Sequence, residues 1–177
     1  MSAYLLLKLV HIAAAVLFLG DVLITFVWKL RADRTRRPSV VAYAQEMVSW
    51  TDWWLMLTAS VVLAASGFAN AHLHGLPIWT DFGLLWGQIA FYLSGLIWIV
   101  WLLPVQHKMR TMARAFRDAA EVPADYHALN RRWRAWGVVS VALPLVALAL
   151  MVLRKRRQRR PTSGRRRRPR RGVRVYQ

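Results

Sequence analysis

Four stretches of this chain are almost free of charge, and each is long enough to cross a lipid bilayer. They cover about residues 5–27, 53–71, 82–105 and 135–153. An α-helix rises about 1.5 Å per residue, so about 20 residues cross the ~30 Å hydrocarbon core. Four such stretches in 177 residues leave too little polar chain for a water-soluble domain. The sequence therefore predicts an all-α, polytopic membrane protein, with a four-helix transmembrane bundle over residues 1–153.

The first apolar stretch is predicted to remain in the protein as a membrane helix. A cleaved signal peptide has a basic region ahead of a short apolar core. Here no basic side chain precedes Lys8, and the apolar stretch is too long for such a core. We therefore count it among the four spans.

Half of the positive charge lies in the last 24 residues. Residues 154–177 hold 13 of the 26 Lys and Arg and no acid. This low-complexity composition predicts a disordered, Arg-rich tail that attracts anionic lipids and other phosphates without selectivity, so no specific nucleic acid is expected. The chain also has no Cys, which excludes disulfides, iron–sulfur clusters, thiolate zinc sites and covalently attached c-type haem.

The short connections between the spans predict an orientation. Residues 28–49 and 106–134 are rich in Lys and Arg, whereas residues 70–81 contain none. By the positive-inside rule, the two basic connections are cytoplasmic and both termini lie outside. The basic tail argues for the opposite orientation, but short loops between helices determine topology more directly.

Both basic connections contain short amphipathic patterns. The spacing of Met109, Met112, Ala113 and Phe116 predicts a helix with an apolar stripe, and the stripe of Val40, Val41, Ala44, Met47 and Val48 predicts another. We expect both to be helix extensions resting on the anionic headgroups. Thr51 and Asp52 are expected to be the N-cap of the second span.

Small residues and one proline predict how the helices pack. Gly83 with Gly87, and Ala90 with Ser94, are small pairs one turn apart, which let helix backbones approach closely. Pro144 interrupts the fourth span. It should kink that helix and leave the Ser140 carbonyl to be satisfied by the Ser140 side chain or by a neighbouring helix.

Three ionisable residues lie in the first span, where their burial is costly enough to suggest a function. Lys8 and His11 share one face. A neutral imidazole is the commonest protein ligand of haem iron, so His11 is a candidate axial ligand, and Lys8 is a candidate partner of a haem propionate or a substrate carboxylate. The alternative for His11 is a hydrogen bond to a neighbouring helix. Asp21, about 15 Å deeper, is expected either to make an interhelical hydrogen bond or to serve a proton relay.

A second axial ligand is not evident. His72 and His74 follow the second span on the same predicted side as His11, and His107 lies at the other end of the third span. The iron would then be five-coordinate, or use His72 or a non-His ligand. His72 and His74 by themselves are a weak copper or zinc signal.

Several motifs occur together in the body of the chain: the opening YLLLKLVHIAAAVLFLGDVLITFVWKLRADRTRRP, then TDWW, LLWG, LSGLIW, LLPVQ and RRWRAWG. From residue 4 to about 153 the chain resembles the bacterial integral-membrane family called domain of unknown function 2269, which has no established activity. More distantly, KLVH resembles the Lys-x-x-His opening of the membrane haem-binding protoporphyrinogen oxidases, and is similar to copper-resistance D-type membrane proteins. This second resemblance implies that His11 is a haem b ligand.

Two functions are therefore expected from the sequence. In the first, the bundle binds b-type haem or a related porphyrin through His11 for redox chemistry. In the second, it is a non-enzymatic bundle that serves envelope assembly, transport or a partner complex, with a membrane-protein partner or a second copy of the chain. No nucleophile–base constellation indicates a hydrolase.

Overall fold

The computed structural model describes residues 3–153, and these residues form four long helical rods. Rod 1 is helix α1 (Ala3–Arg34) and rod 4 is helix α6 (Ala124–Val152). Rods 2 and 3 each contain a π-helical segment in the middle. Rod 2 is α2 (Pro38–Thr51), a π-helical segment (Asp52–Met56) and α3 (Leu57–Leu73); rod 3 is α4 (Phe82–Ile97), a π-helical segment (Trp98–Leu102) and α5 (Leu103–Ala115).

All four rods are long and apolar enough to cross a membrane. This confirms the predicted all-α fold with four transmembrane helices. The Arg-rich tail, residues 154–177, lies outside the described residues, so its predicted disorder and the boundary at residue 153 stay predictions. Rods 2 and 3 extend well beyond the predicted spans of 53–71 and 82–105, because α2 and α5 continue them without a break.

The rods give the bundle two different ends. The basic end is formed by the C-terminal end of α1, by α2 and α5, and by the beginning of α6. The neutral end is formed by the N-terminal end of α1, the connection 74–81 and the C-terminal end of α6. Toward the neutral end, α1 packs along α3 and α4 packs along α6, and in the described residues neither α1 nor α3 has a backbone contact with α4.

Small residues bring α4 and α6 together, as the sequence predicts. Gly83, Gly87, Ala90 and Ser94 are all buried. A Cβ added to Gly87 would lie 2.7 Å from Cγ of Met151 and 3.3 Å from the Ala147 carbonyl oxygen. Any larger residue at this position would therefore require the Met151 side chain to move and would crowd the α6 backbone.

The carbonyl freed by Pro144 is satisfied across the same interface. Pro144 has no N–H to donate to the Ser140 carbonyl one turn earlier. The Ser94 hydroxyl of α4 donates to that carbonyl over 2.8 Å. Of the two alternatives from the sequence, the bond from a neighbouring helix is the one that forms.

At the basic end, the apolar stripes pack inside the bundle. Met109, Ala113 and Phe116 of the α5 stripe are buried, and Val41 and Val48 of the α2 stripe pack in the same cluster. The prediction that these stripes rest on lipid headgroups is wrong, although both do extend transmembrane helices. The stripes of α2 and α5 face each other and the beginning of α6, so each covers the other.

Lys29 is also inside the basic end, whereas the sequence placed it among the basic residues of a loop. Its side chain is fully buried and forms an ion pair with Asp33, one turn later on α1. The Asn130 amide donates to the other Asp33 oxygen over 2.8 Å. The ammonium also lies over the rings of Tyr126 and Trp133, 5.2 Å and 5.9 Å from their centroids. A buried cation is tolerated here because an acid and two aromatic faces surround it.

Candidate functional site

A cavity of about 440 Å³ lies between the rods, near the middle of the bundle. Its walls are mostly apolar and come from all four rods. Phe18 of α1 meets Phe91 of α4 across the gap, with ring centroids 5.5 Å apart. Asp52 and Gln106 line the cavity on the side toward the basic end, and hydroxyl side chains line it elsewhere.

Asp52 is the central polar residue of this cavity. It belongs to the π-helical segment of rod 2 and is 6% exposed. The Gln106 amide donates to its Oδ2 over 2.7 Å, and the Trp98 indole N–H donates to the same oxygen over 3.5 Å. Trp98 begins the π-helical segment of rod 3, so the two segments meet at this point. Segments of this type widen a helix by one residue and are frequent at functional sites.

The expectation that Asp52 caps the second span is wrong. Rod 2 is already helical from Pro38 onward, so the backbone at residue 52 has no free helix N-terminus to cap. The carboxyl group turns inward and accepts hydrogen bonds from rod 3 instead. A Thr-Asp pair ahead of an apolar stretch is typical of a cap, but the helix predicted from the α2 stripe runs through this pair without a break.

Asp21 brings a second carboxyl group to the same level. It is 4% exposed and lies near Thr51 of α2, whose hydroxyl donates to the Val48 carbonyl of its own helix over 3.2 Å. The Asp21 Oδ2 has no hydrogen-bond partner in the described part of the chain. Its two expected roles, an interhelical hydrogen bond and a proton relay, stay predictions. The carboxyl groups of Asp21 and Asp52 are close enough to interact electrostatically.

His11 lies nearer the neutral end, on the contact between α1 and α3. Its Nδ1 is 2.9 Å from the Ser66 hydroxyl oxygen. The Ser66 hydroxyl donates its one hydrogen to the Val62 carbonyl over 2.6 Å, and with this hydrogen bond in place the imidazole donates to Ser66 from Nδ1. Gly67 makes room for the ring, because a Cβ there would lie 3.1 Å from Cε1 of His11.

The structure does not bring the other candidate residues to His11. Lys8 is exposed on α1, one turn nearer the neutral end. His74 has its Nδ1 2.6 Å from the Asn70 carbonyl oxygen and its ring against Tyr4, and His72 is exposed. Over residues 3–153, no three His, Asp or Glu side chains are grouped as metal ligands.

Gln106 and Trp98 are the site residues that sequence reasoning missed. A glutamine at the end of an apolar stretch looks like an ordinary interface residue, and Trp98 looks like a lipid-facing aromatic. The available signal was the acid itself: Asp52 lies beside apolar residues on its C-terminal side, and a buried acid needs hydrogen-bond donors from another helix.

Comparison with known proteins identifies the family but no activity. No curated protein matches the chain significantly. No solved structure does so either. The family model described as a predicted integral membrane protein of unknown function (DUF2269) matches residues 5–155, which is most of the chain. With its four membrane-spanning rods, the chain belongs to this family of integral membrane proteins.

Proposed function

We propose that this protein binds b-type haem, or a related porphyrin, through His11 and serves redox chemistry in the membrane. The observation that supports this is the orientation of the imidazole. Because Nδ1 donates to Ser66, Nε2 is left with the lone pair that a metal ligand needs. Histidine ligands are commonly held by such a hydrogen bond from the other ring nitrogen.

An apolar cavity lies farther along the face of α1 that carries His11. His11, Phe18, Val22 and Thr25 recur at helical spacing, so they share one face of α1, and the last three line the central cavity. The exposed ammonium of Lys8 is available to a propionate. A bound haem would supply one-electron transfer; this chain supplies the imidazole, its orientation and an apolar environment.

The test is a reduced-minus-oxidised visible spectrum of protein expressed with haem available and purified in detergent. We expect a Soret band in the wild type, and its loss in His11→Ala. His74→Ala is the matched control, since it removes an imidazole at the same end and should keep the band. Size-exclusion chromatography verifies that each variant remains folded. A colourless wild type, or a band that survives His11→Ala, would refute haem ligation by His11.

A second candidate is a non-enzymatic bundle that assists envelope assembly, transport or a partner complex. It is favoured by the same His11–Ser66 hydrogen bond, which is also what a structural link between α1 and α3 requires. This candidate predicts a colourless protein, normal function of His11→Ala in cells, and a partner or second copy that co-purifies.

For the membrane placement, we propose the inner membrane of a bacterial cell with the basic end in the cytoplasm. Ten Lys and Arg side chains are exposed at this end, where they can contact anionic headgroups: Arg31, Arg34, Arg36, Arg37, Lys108, Arg114, Arg117, Arg131, Arg132 and Arg134. A reporter that is active only outside the membrane, fused after Gln177, should be active. Activity of a cytoplasmic reporter at that position would reverse the orientation.

A further inference from the structure

We propose that the central cavity binds an apolar molecule carrying a protonated amine, with the carboxylate of Asp52 as its counter-ion. The cavity offers apolar walls for the body of such a ligand. Phe18, Phe91 and Val61 lie on these walls. Asp52 and Gln106 meet at the side toward the basic end, and the hydroxyl residues of the lining are Thr25, Ser60, Ser94 and Ser140. This composition, mostly apolar with a few convergent polar groups, is typical of small-molecule sites.

The charges of the side chains that line the cavity favour a cationic ligand. Among the residues that line the cavity, Asp52 is the only acid, and none is Lys, Arg or His. The two hydrogen bonds to Asp52 come from neutral groups, the Gln106 amide and the Trp98 indole, and both reach Oδ2. No ion pair within residues 3–153 involves this carboxyl group, so a ligand ammonium near Oδ1 would be its first cationic partner.

The described ion pairs of the protein's own cations involve other acids. Lys29 pairs with Asp33, and Arg110 and Arg114 both face Glu46. Asp21 is a second acid near Asp52, with a buried oxygen that has no partner in the described part of the chain. Two acids close together in an apolar interior repel each other when ionised, and a nearby positive charge, from a proton or from a bound cation, relieves that repulsion.

Aromatic side chains reinforce this preference. Trp98 lines the polar side of the cavity beside Asp52, whereas the Trp133 ring is already covered by Phe26, with ring centroids 5.7 Å apart, and by the Lys29 ammonium. The face of an aromatic ring attracts an ammonium group, most strongly for tryptophan. The same aromatic rings also pack well against an apolar ligand.

The cavity is open to a ligand that arrives through the bilayer. Val61 of α3 and Tyr92, Leu96 and Ile99 of rod 3 all line it, yet these side chains are exposed on the outside of the bundle. They lie where α3 and α4 have no backbone contact. An apolar amine dissolved in the membrane can therefore enter between rods 2 and 3.

The experiment is a fluorescence titration of the full-length protein in lipid nanodiscs with dansylcadaverine, a primary amine with an apolar fluorophore. Its uncharged counterpart is N-butyl dansylamide, which has a similar body and no ammonium. We expect saturable binding of the amine, and binding of the uncharged probe that is at least about tenfold weaker, since the ion pair would be lost. Empty nanodiscs give the background from partitioning into lipid.

Variants locate the site. Asp52→Asn should weaken amine binding by about tenfold or more, whereas Asp118→Asn, which removes an exposed acid, should leave it unchanged. Equal affinity for the two probes in the wild type would overturn the proposal without any variant, and so would a folded Asp52→Asn that binds the amine normally.

Discussion

The two ends of this bundle are held together by different means. At the neutral end, α4 lies against α6 through glycine, alanine and serine, and one hydroxyl satisfies the carbonyl freed by Pro144. At the basic end, large apolar side chains form a core, and a fully buried lysine is enclosed by an acid and two aromatic rings. The same rods run through both ends.

The difference follows from the solvent that surrounds each end. In hydrocarbon, apolar burial gives little driving force for association, so close backbone approach and interhelical hydrogen bonds take its place. At the basic end, the rods extend beyond the predicted spans and carry many exposed Arg side chains, which indicates contact with water and headgroups. There the apolar stripes of α2 and α5 gain from being buried against each other.

The variant with the largest expected effect, Asp33→Ala, tests the buried ion pair at the basic end. Asp33→Ala leaves Lys29 buried without its acid, and we expect a loss of about 3–5 kcal/mol in the free energy of unfolding. Denaturation in mixed detergent micelles, followed by circular dichroism, measures it. Asp118→Ala removes an exposed acid of the same end and is the control. A change in Asp33→Ala no larger than in the control would mean that Lys29 reaches water.

The next effect tests whether the α5 stripe is core or membrane surface. Met109 is 0% exposed, so Met109→Ala should cost about 2–5 kcal/mol in the free energy of unfolding. Met112 lies on the same stripe but is only half-buried, so Met112→Ala should lower the free energy of unfolding by less. The same denaturation experiment compares the two. Equal, small losses would favour a stripe lying on headgroups, as the sequence alone suggests.

At the neutral end, a variant with a smaller expected loss of stability, Gly87→Val, tests the close approach of α4 and α6. Gly87→Val should lower the free energy of unfolding by about 1–3 kcal/mol, because the added atoms meet Met151 and the Ala147 carbonyl. Gly95→Val is the matched control on the same helix, since a Cβ at Gly95 meets nothing within 4 Å. The difference between the two variants in denaturation midpoint isolates crowding from the general effect of adding a side chain. No difference would show that α6 moves away freely.

The smallest expected effect is the loss of one interhelical hydrogen bond. Ser94→Ala removes the donor to the Ser140 carbonyl. We expect the free energy of unfolding to fall by about 0.6–1.7 kcal/mol, as is usual for such bonds in membrane proteins. Ser60→Ala is the control, since the Ser60 hydroxyl donates within its own helix, to the Leu57 carbonyl. Combined with Pro144→Ala, which restores an N–H for that carbonyl, Ser94→Ala should lose much of its effect.

Local sequence patterns predicted the parts of the fold that depend on length and composition. The four spans, the small residues of α4 and the need of the Ser140 carbonyl for a donor all follow from one helix at a time. The burial of the stripes that contain Met109 and Val41 could not be predicted from one helix, because an apolar stripe has the same spacing whether it faces lipid or another helix. Lys29 was predicted to lie in a basic loop. Asp33 is one turn away on the same helix, but the rings of Tyr126 and Trp133 come to surround the ammonium only when α6 packs against α1.

The candidate sites show the same limit. His11 can be selected from the sequence, because a histidine in an apolar helix is unusual. Its hydrogen bond to Ser66, 55 residues away, depends on how α1 and α3 align. The cavity and the meeting of Asp52 with Gln106 depend on all four rods, and on the π-helical segments, which have no simple sequence signature.

These two π-helical segments also divide rods 2 and 3 into separately phased halves. One extra residue in a turn rotates everything beyond it by about 100° relative to a regular helix. The segments Asp52–Met56 and Trp98–Leu102 therefore let α3 and α4 present one face at the neutral end while α2 and α5 present another at the basic end. Deleting a single residue from either segment would turn it into regular α-helix and leave both ends packed as before, so what would be lost is the wide turn that brings Asp52 and Trp98 together.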